Sequence, residues 1–494
     1  MSYSTTTTGT PWWQHFATMA LASVLVFGTA GCDIFDDDDD DDEEEVVDDG
    51  DDAGDDDPVG TALARVFHAV ADAPDVDALA DGNVVFEDVA FKAGTAFAEV
   101  DAVSTEFSVN ALTAGGEVTV IMPTAVELQA DTEYTIAAIG TVETIAPIVI
   151  ANAVAPVTAG NVRVQVVHAS PAAPAVDVYV TAPDADLATA GDPLTSFEFG
   201  EFTPQVEVPA GDYQIRVTLA GDVATVVFDS GTISLADGLD LQIYAVNNTA
   251  TGAAPITLAA IDASGTVEGT LEVFDTATPA SLRVVHASPD APAVDVVVND
   301  DFDNPAVSDL TFPTFTGFLD VALEAGDPSV SLNVKVTPAD NTMAVNGDGM
   351  GDDVDLERGV EYTVLATGLL ADFSLLVLVD DDRPIATDAR VRIVHGSPAA
   401  GDVDIYVAAP ETDIATIDPA FTAVPFRADT GYVPLPPGDY EVTVTPTGTT
   451  DAAIGPIVIT VEAGGVYTAV ARDAEGGGAP LGLILFDDFA DSAD

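Results

Sequence analysis

From Ala62 to the end of the chain, short runs of alternating apolar and polar residues follow one another, separated by clusters of Gly, Pro and Asp. Alternation puts every second side chain on one face of a strand, and no stretch sustains the 3.6-residue period of an amphipathic helix. Runs such as VRVQVVH (162–168) and VDVYV (176–180) are short and β-branched, and the Ser-Pro and Ala-Pro steps between them break any helix. Leu282, Val284 and His286 fall on one face of their run and Arg283 and Val285 on the other. On the next run Val294, Val296 and Val298 share a face and Asp295 takes the opposite one. The pattern predicts an all-β protein made of sandwiches.

The strand–turn–strand block recurs. It reads ARVFHAVADAPDVDALA (64–80), VRVQVVHASPAAPAVDVYV (162–180), LRVVHASPDAPAVDVVV (282–298) and VRIVHGSPAAGDVDIYV (391–407). Its histidines, His68, His168, His286 and His395, stand 100, 118 and 109 residues apart. Each precedes an aspartate by nine residues: Asp77, Asp177, Asp295 and Asp404. A serine lies two residues after the histidine in three copies, Ser170, Ser288 and Ser397, and Val70 replaces it in the first. Later markers repeat as well: a turn and strand in PAGDYQIRVT (209–218) and PPGDYEVTVT (436–445), then a closing strand in DTEYTIAAIG (131–140), LDLQIYAVNN (239–248), VEYTVLATG (360–368) and GGVYTAVARD (464–473). Fixed internal spacing in four copies marks duplication. We expect four tandem immunoglobulin-like or transthyretin-like β-sandwich domains over 62–159, 160–278, 279–388 and 389–490, each long enough for its own core.

The N-terminus differs in kind. Residues 1–31 carry no charged side chain, and FATMALASVLVF (16–27) has the length of a signal-peptide core rather than of a membrane span. It runs into Gly28-Thr29-Ala30-Gly31-Cys32, which resembles a bacterial lipoprotein signal. Cys32 is the only cysteine, so no intrachain disulfide forms, and lipidation accounts for it. Thr29 stands where such signals usually carry Leu, and the leader has no Lys or Arg, so a cleaved signal without lipid and an uncleaved anchor are the other two readings. Residues 32–61 are read as the lipidation site and a disordered acidic tether, with 18 acids and no base between 33 and 57.

Charge narrows the partners. The chain has 85 Asp plus Glu against 12 Lys plus Arg, a net charge of −73. Removing the 18 tether acids still leaves −55 on the remainder. Such a surface excludes nucleic acid, whose phosphates need cations, and direct adsorption to anionic lipid. It points to a salt-adapted habitat in which high ionic strength screens the self-repulsion.

The R-V-x-H-x-S-P block with the later G-D-Y turn resembles the bacterial and archaeal domain-of-unknown-function family 4397 over nearly all of 62–490. The resemblance implies β-sandwiches on secreted or surface-anchored proteins, often in tandem, and brings no activity or ligand with it.

The repeated residues admit several chemistries. His, Ser and Asp invite a nucleophilic triad, yet the Ser precedes a proline in a tight turn and lacks a nucleophile-elbow pattern, so no catalysis is expected. A metal role lacks a second His or Cys nearby. We read the motif as fold-stabilising: a half-buried histidine satisfied by Asp295 or the turn backbone, and a serine hydroxyl bonding turn backbone groups. Tyr179, Tyr213, Tyr406 and Tyr440 read as core or cross-strand packing. Asn346, Asp348, Asp352 and Glu357 partly match a calcium loop, the one weak cofactor candidate. The function expected is a cell-envelope lipoprotein, facing the periplasm or the cell surface. Its sandwiches would serve adhesion, surface-layer or other protein contacts. The alternative is a secreted module binding glycan or protein, with calcium as an option.

Overall fold

The computed structural model describes residues 60–491 apart from Glu268 and Asp340. The signal, Cys32 and nearly all of the acidic tether lie outside the described residues.

The first sandwich shows how the alternation is used. Its strands are β1 (Thr61–His68), β2 (Val76–Ala80), β3 (Asn83–Val89), β4 (Ala98–Asp101), β5 (Ser104–Thr113), β6 (Gly116–Glu127), β7 (Thr132–Ile139) and β8 (Ala146–Ala153). They form two four-stranded sheets, β4-β1-β7-β8 and β3-β2-β5-β6. All neighbours are antiparallel except β1 and β7, which run parallel from Leu63↔Glu133 to His68↔Ala138. The even members of β1, Ala62, Ala64 and Val66, meet Tyr134, Ile136 and Ala138 of β7 and Val76, Ala78 and Val109 of the second sheet in one core. Each buried Val, Leu or Ile side chain contributes about 1.5–3 kcal/mol.

The second sandwich repeats the plan with β9 (Asn161–His168), β10 (Val176–Thr181), β11 (Thr195–Phe197), β12 (Val206–Pro209), β13 (Gly211–Leu219), β14 (Asp222–Leu235), β15 (Asp240–Asn247) and β16 (Ile256–Asp262), and adds β17 (Thr270–Val273). Its sheets are β12-β9-β15-β16-β17 and β11-β10-β13-β14. The third and fourth have the same two four-stranded sheets, with the parallel pairs Ala280–His286 beside Glu361–Thr367 and Ala389–His395 beside Val466–Arg472. Each sandwich has its own core. The all-β tandem-sandwich expectation therefore holds.

One tyrosine braces three of the four folds. Tyr134, Tyr362 and Tyr467 each accept, through the hydroxyl, the backbone N–H five residues upstream, at 3.0 Å in every case. This is the tyrosine corner of immunoglobulin-like sandwiches. Leu241 occupies the position in the second sandwich. Tyr213 and Tyr440 instead donate to Pro209 O and Pro436 O, at 2.7 and 2.8 Å, across the G-D-Y turn, and Tyr179 and Tyr406 are buried.

The sandwiches are not beads on a string. The sheets holding the histidine strands are buried on both faces, so a second apolar layer forms between neighbours. Phe67, Ala137 and Ile139 of the first sandwich pack on Val167, Tyr244, Val246 and Ile261 of the second, with Phe67 and Tyr244 stacked at 3.7 Å. Val285, Leu365 and Leu378 of the third pack on Val394, Val470, Ile484 and Phe486 of the fourth. The described residues belong to a single compact unit.

Candidate functional site

The repeated histidine sits where the first strand of each sandwich enters its Ser-Pro turn. All four are buried. Nε2 reaches the carbonyl six residues on: Pro74 at 3.1 Å, Pro174 at 3.3 Å, Pro292 at 3.0 Å and Gly401 at 2.7 Å. Nδ1 accepts the backbone N–H two residues on, from Val70, Ser288 and Ser397 at 3.3–3.4 Å. His168 Nδ1 alone has no partner. Donating at one nitrogen and accepting at the other is the pattern of a neutral imidazole. Burial lowers the pKa of every one of them, that of His68 to about 4.

The turn backbone is thus the histidine's partner, and the aspartate nine residues on is not. Each aspartate pins a neighbouring strand instead. Asp77 accepts from Asp88 N at 2.9 Å, and Asp295 from Asp309 N at 2.8 Å. Asp177 accepts from Ser196 Oγ at 2.5 Å and Gly221 N at 2.8 Å. Asp404 accepts from Ala423 N and Gly448 N, both at 2.8 Å, and these N–H groups, Gly448 first, hold its carboxyl below the usual range.

The serine's role also differs from the one read in the sequence. Its hydroxyl bonds a side chain at the end of the parallel partner strand, not the turn backbone. Ser170 Oγ donates to Asn247 Oδ1 at 2.5 Å, and Ser397 Oγ bonds Asp473 Oδ1. Glycine takes the Asn247 position in the other two copies, Gly140 and Gly368. Correspondingly, the first copy carries Val70 in place of the serine, and Ser288 Oγ is buried without a partner. No triad is assembled: Nε2 is committed to a carbonyl and the aspartate to a backbone amide, so nothing activates the hydroxyl.

A phenylalanine from the loop after the third strand closes over each ring edge-on. Phe91, Phe199, Phe312 and Phe426 stand 6.1–6.3 Å from their histidines. Its distance along the chain varies, which hid it from a search for fixed spacing. Replacing His286 by Ala in the full chain is expected to cost about 2–3 kcal/mol, two hydrogen bonds plus a cavity. Ser288→Ala, which loses only an unpartnered hydroxyl, should be near neutral. Equal thermal melting of the two variants would count against the histidine's bracing role.

The second constellation is the arginine three residues before the histidine. Its side chain points away from the sandwich core into the seam with the neighbouring sandwich. Arg65 donates to Thr135 Oγ1 (3.0 Å) and to Gln242 Oε1 (3.2 Å) of the second sandwich, inside an amide network with Gln165, Asn152 and Tyr244. Among the described residues no carboxylate forms an ion pair with Arg65, and burial lowers its pKa. In the other seam Arg283 and Arg392 share the buried carboxylate of Asp380, and Arg283 also bonds Asp487 of the fourth sandwich. Thr363 Oγ1 donates to Asp380 at 2.5 Å. At the seam's end burial, followed by Asp382 and Asp380, pushes the Glu361 carboxyl up to about 8.

Two arginines tie down linkers. Arg358 donates to four carbonyls, Asp327, Thr276, Thr278 and Glu324, at 2.7–3.1 Å. Arg383, between the third and fourth sandwiches, reaches Ala71 O and Ala73 O of the first at 3.0 and 2.8 Å.

The calcium candidates are not gathered around one point. Asn346 is buried: it accepts from Val336 N and donates to Val334 O and Asp352 Oδ2, each at 2.8 Å. Asp348 occupies the adjoining turn with a φ of 52°. Glu357 lies at the far end of the strand Asp352–Glu357, roughly 16 Å away at ~3.3 Å per residue. Among the described residues no group of three or more His, Cys, Asp or Glu converges as a metal ion would need. Inside the second sandwich a small apolar void of about 30 Å³ remains between Val166, Phe197 and Ile215, without the polar partners a water needs.

A tandem array of immunoglobulin-like sandwiches, paired through buried arginine seams, is the class these features define. The chain belongs to the family described as domain of unknown function (DUF4397), whose model matches residues 62–179, 280–406 and 407–494. Nothing among curated proteins matches. Of solved structures, it is similar at 8% identity and a TM-score of 0.15 to the Bacillus anthracis TIE protein, covering 80% of this chain and 65% of that one. It is similar at 13% identity and a TM-score of 0.13 to a structure of family 41 carbohydrate-binding modules from streptococcal virulence factors, described for alpha-glucan recognition, covering 43% of this chain and 95% of that one.

Proposed function

We propose that this protein is a lipid-anchored envelope scaffold that displays four sandwiches as one stiff body on an acidic tether and acts through protein contacts, without catalysis. The observation that carries this reading is where the cations go. Every arginine except Arg216 contacts a neighbouring sandwich, or a linker or seam residue between two. In a chain of −73 charge, almost all guanidinium groups serve to join domains, and the outer surface is left acidic. The repeated His and Asp are likewise consumed by the fold, as are the hydroxyls of Ser170 and Ser397, so the duplicated motif builds architecture. Tandem domains joined by flexible linkers would not need such seams.

The anchor is tested by mass spectrometry of the mature protein extracted from membranes. The N-terminal peptide is expected to begin at Cys32 and to carry acyl chains, two or more being what stable anchoring takes. An unmodified N-terminus, or an intact leader, would remove the anchored reading.

A further inference from the structure

We propose that the outer edge of the strand Ser374–Asp380 joins two copies of this chain by antiparallel strand pairing. The inference deepens the display reading and rests on it. This strand is the last in its sheet, so among the described residues no other strand bonds its outer side. Its sequence, SLLVLVD, is uncharged up to Asp380, which is buried in the seam. Val377 is 40% and Val379 63% exposed, and Leu369 and Leu370 just before them are 40% exposed. An apolar edge with no covering strand is a template for another strand.

The other sandwiches show what such an edge receives. In the second, the equivalent strand β16 is covered by β17, whose sequence TLEV pairs antiparallel from Leu258↔Val273 to Ile261↔Thr270. Ala260, which matches Val377 in register, is there only 5% exposed. In the first, Pro147 removes a donor from β8. In the third, neither device is present. Val379 O already accepts from Arg392, so the free edge runs over Ser374–Leu378, an ordinary strand length.

A second copy is the occupant the observations favour. Identical strands pair antiparallel about a two-fold axis, which closes the contact at two chains. The edge itself brings no charges face to face. The rest of the surface repels, so pairing should need salt that shortens the Debye length to ~3 Å, the value at 1 M. Anchoring copies on one surface would raise their effective concentration further.

Sedimentation of the full chain in detergent, with the micelle contribution subtracted, tests this at low and molar KCl. We expect monomer at low salt and dimer at molar salt. The double variant Val377→Lys/Val379→Lys should stay monomeric at both, its dissociation constant raised at least tenfold, with unchanged melting. If the double variant melts early, Val377→Asp alone replaces it. A wild-type chain that remains monomeric in molar KCl, or a variant that dimerises equally well, overturns the proposal. The acylation state of Cys32, read by mass, fails or stands independently of either result.

Discussion

Replacing Asp380 by Ala is expected to destabilise the paired third and fourth sandwiches by about 3–5 kcal/mol, the range for breaking a buried ion pair from one side. The Asp380 side chain is 1% exposed and lies between Arg283 of one sandwich and Arg392 of the next. Removing it takes the carboxylate from the buried Arg392, leaves Arg283 with the carboxylate of Asp487, and removes the acceptor of the Thr363 hydroxyl. Asp381, one residue on, also bonds an arginine, Arg390, yet its side chain is 57% exposed. Water compensates there, and Asp381→Ala should cost under about 1 kcal/mol. Urea unfolding of the full chain checks the contrast, and urea leaves ionic strength unchanged. Because several sandwiches can melt separately, the transition containing the third and fourth is the one to compare. Equal midpoints for the two variants would mean that the seam does not hold the pair together.

That seam shows where sequence reasoning stops. The alternation in Leu282–His286 puts Arg283 and Val285 on the face away from the core, and the structure agrees. What lies opposite that face is invisible in spacing. The partners of Arg283 are 80, 97 and 204 residues away, at Thr363, Asp380 and Asp487. Nor do the two seams share a chemistry: amides surround Arg65 where carboxylates surround Arg283. A repeat compared only with its own copies therefore shows a constant histidine and a varying neighbour. The variation is the pairing information. The histidine was legible because the hydrogen-bond partners of its ring lie within six residues. The serine was half legible, since its partner at Asn247 or Asp473 sits at the end of the closing-strand marker, and Gly140 and Gly368 announce its absence. Of the two partners open to the histidine, Asp295 and the turn backbone, spacing alone does not choose; the structure selects the backbone because the histidine and the aspartate belong to different sheets.

The buried histidines make acid the condition that should unfold this protein. His68 has a folded pKa of about 4 against 6.5 when exposed, because burial disfavours the imidazolium. Between those values the unfolded chain binds a proton that the folded chain does not, so stability falls as pH falls. The contribution is complete above pH 6.5 and is lost as pH drops through 4. At 1.36 kcal/mol per pKa unit, His68 alone accounts for something on the order of 3 kcal/mol, and the other three histidines shift in the same direction. Glu361 works oppositely. Its folded carboxyl is raised from 4.5 to about 8, chiefly by burial, so its contribution is present below 4.5 and is lost as pH rises through 8. The two limbs place the stability maximum at about pH 6.5. Urea midpoints measured across this range should therefore drop steeply on the acid side. Carboxylates such as Asp404, whose pKa is lowered, lose their contribution only further down. Imidazole NMR separates the two causes. Rings that titrate near 6.5 in the folded chain, or a midpoint that stays flat between pH 6.5 and 4.5, would show that the histidines are not held neutral by the fold.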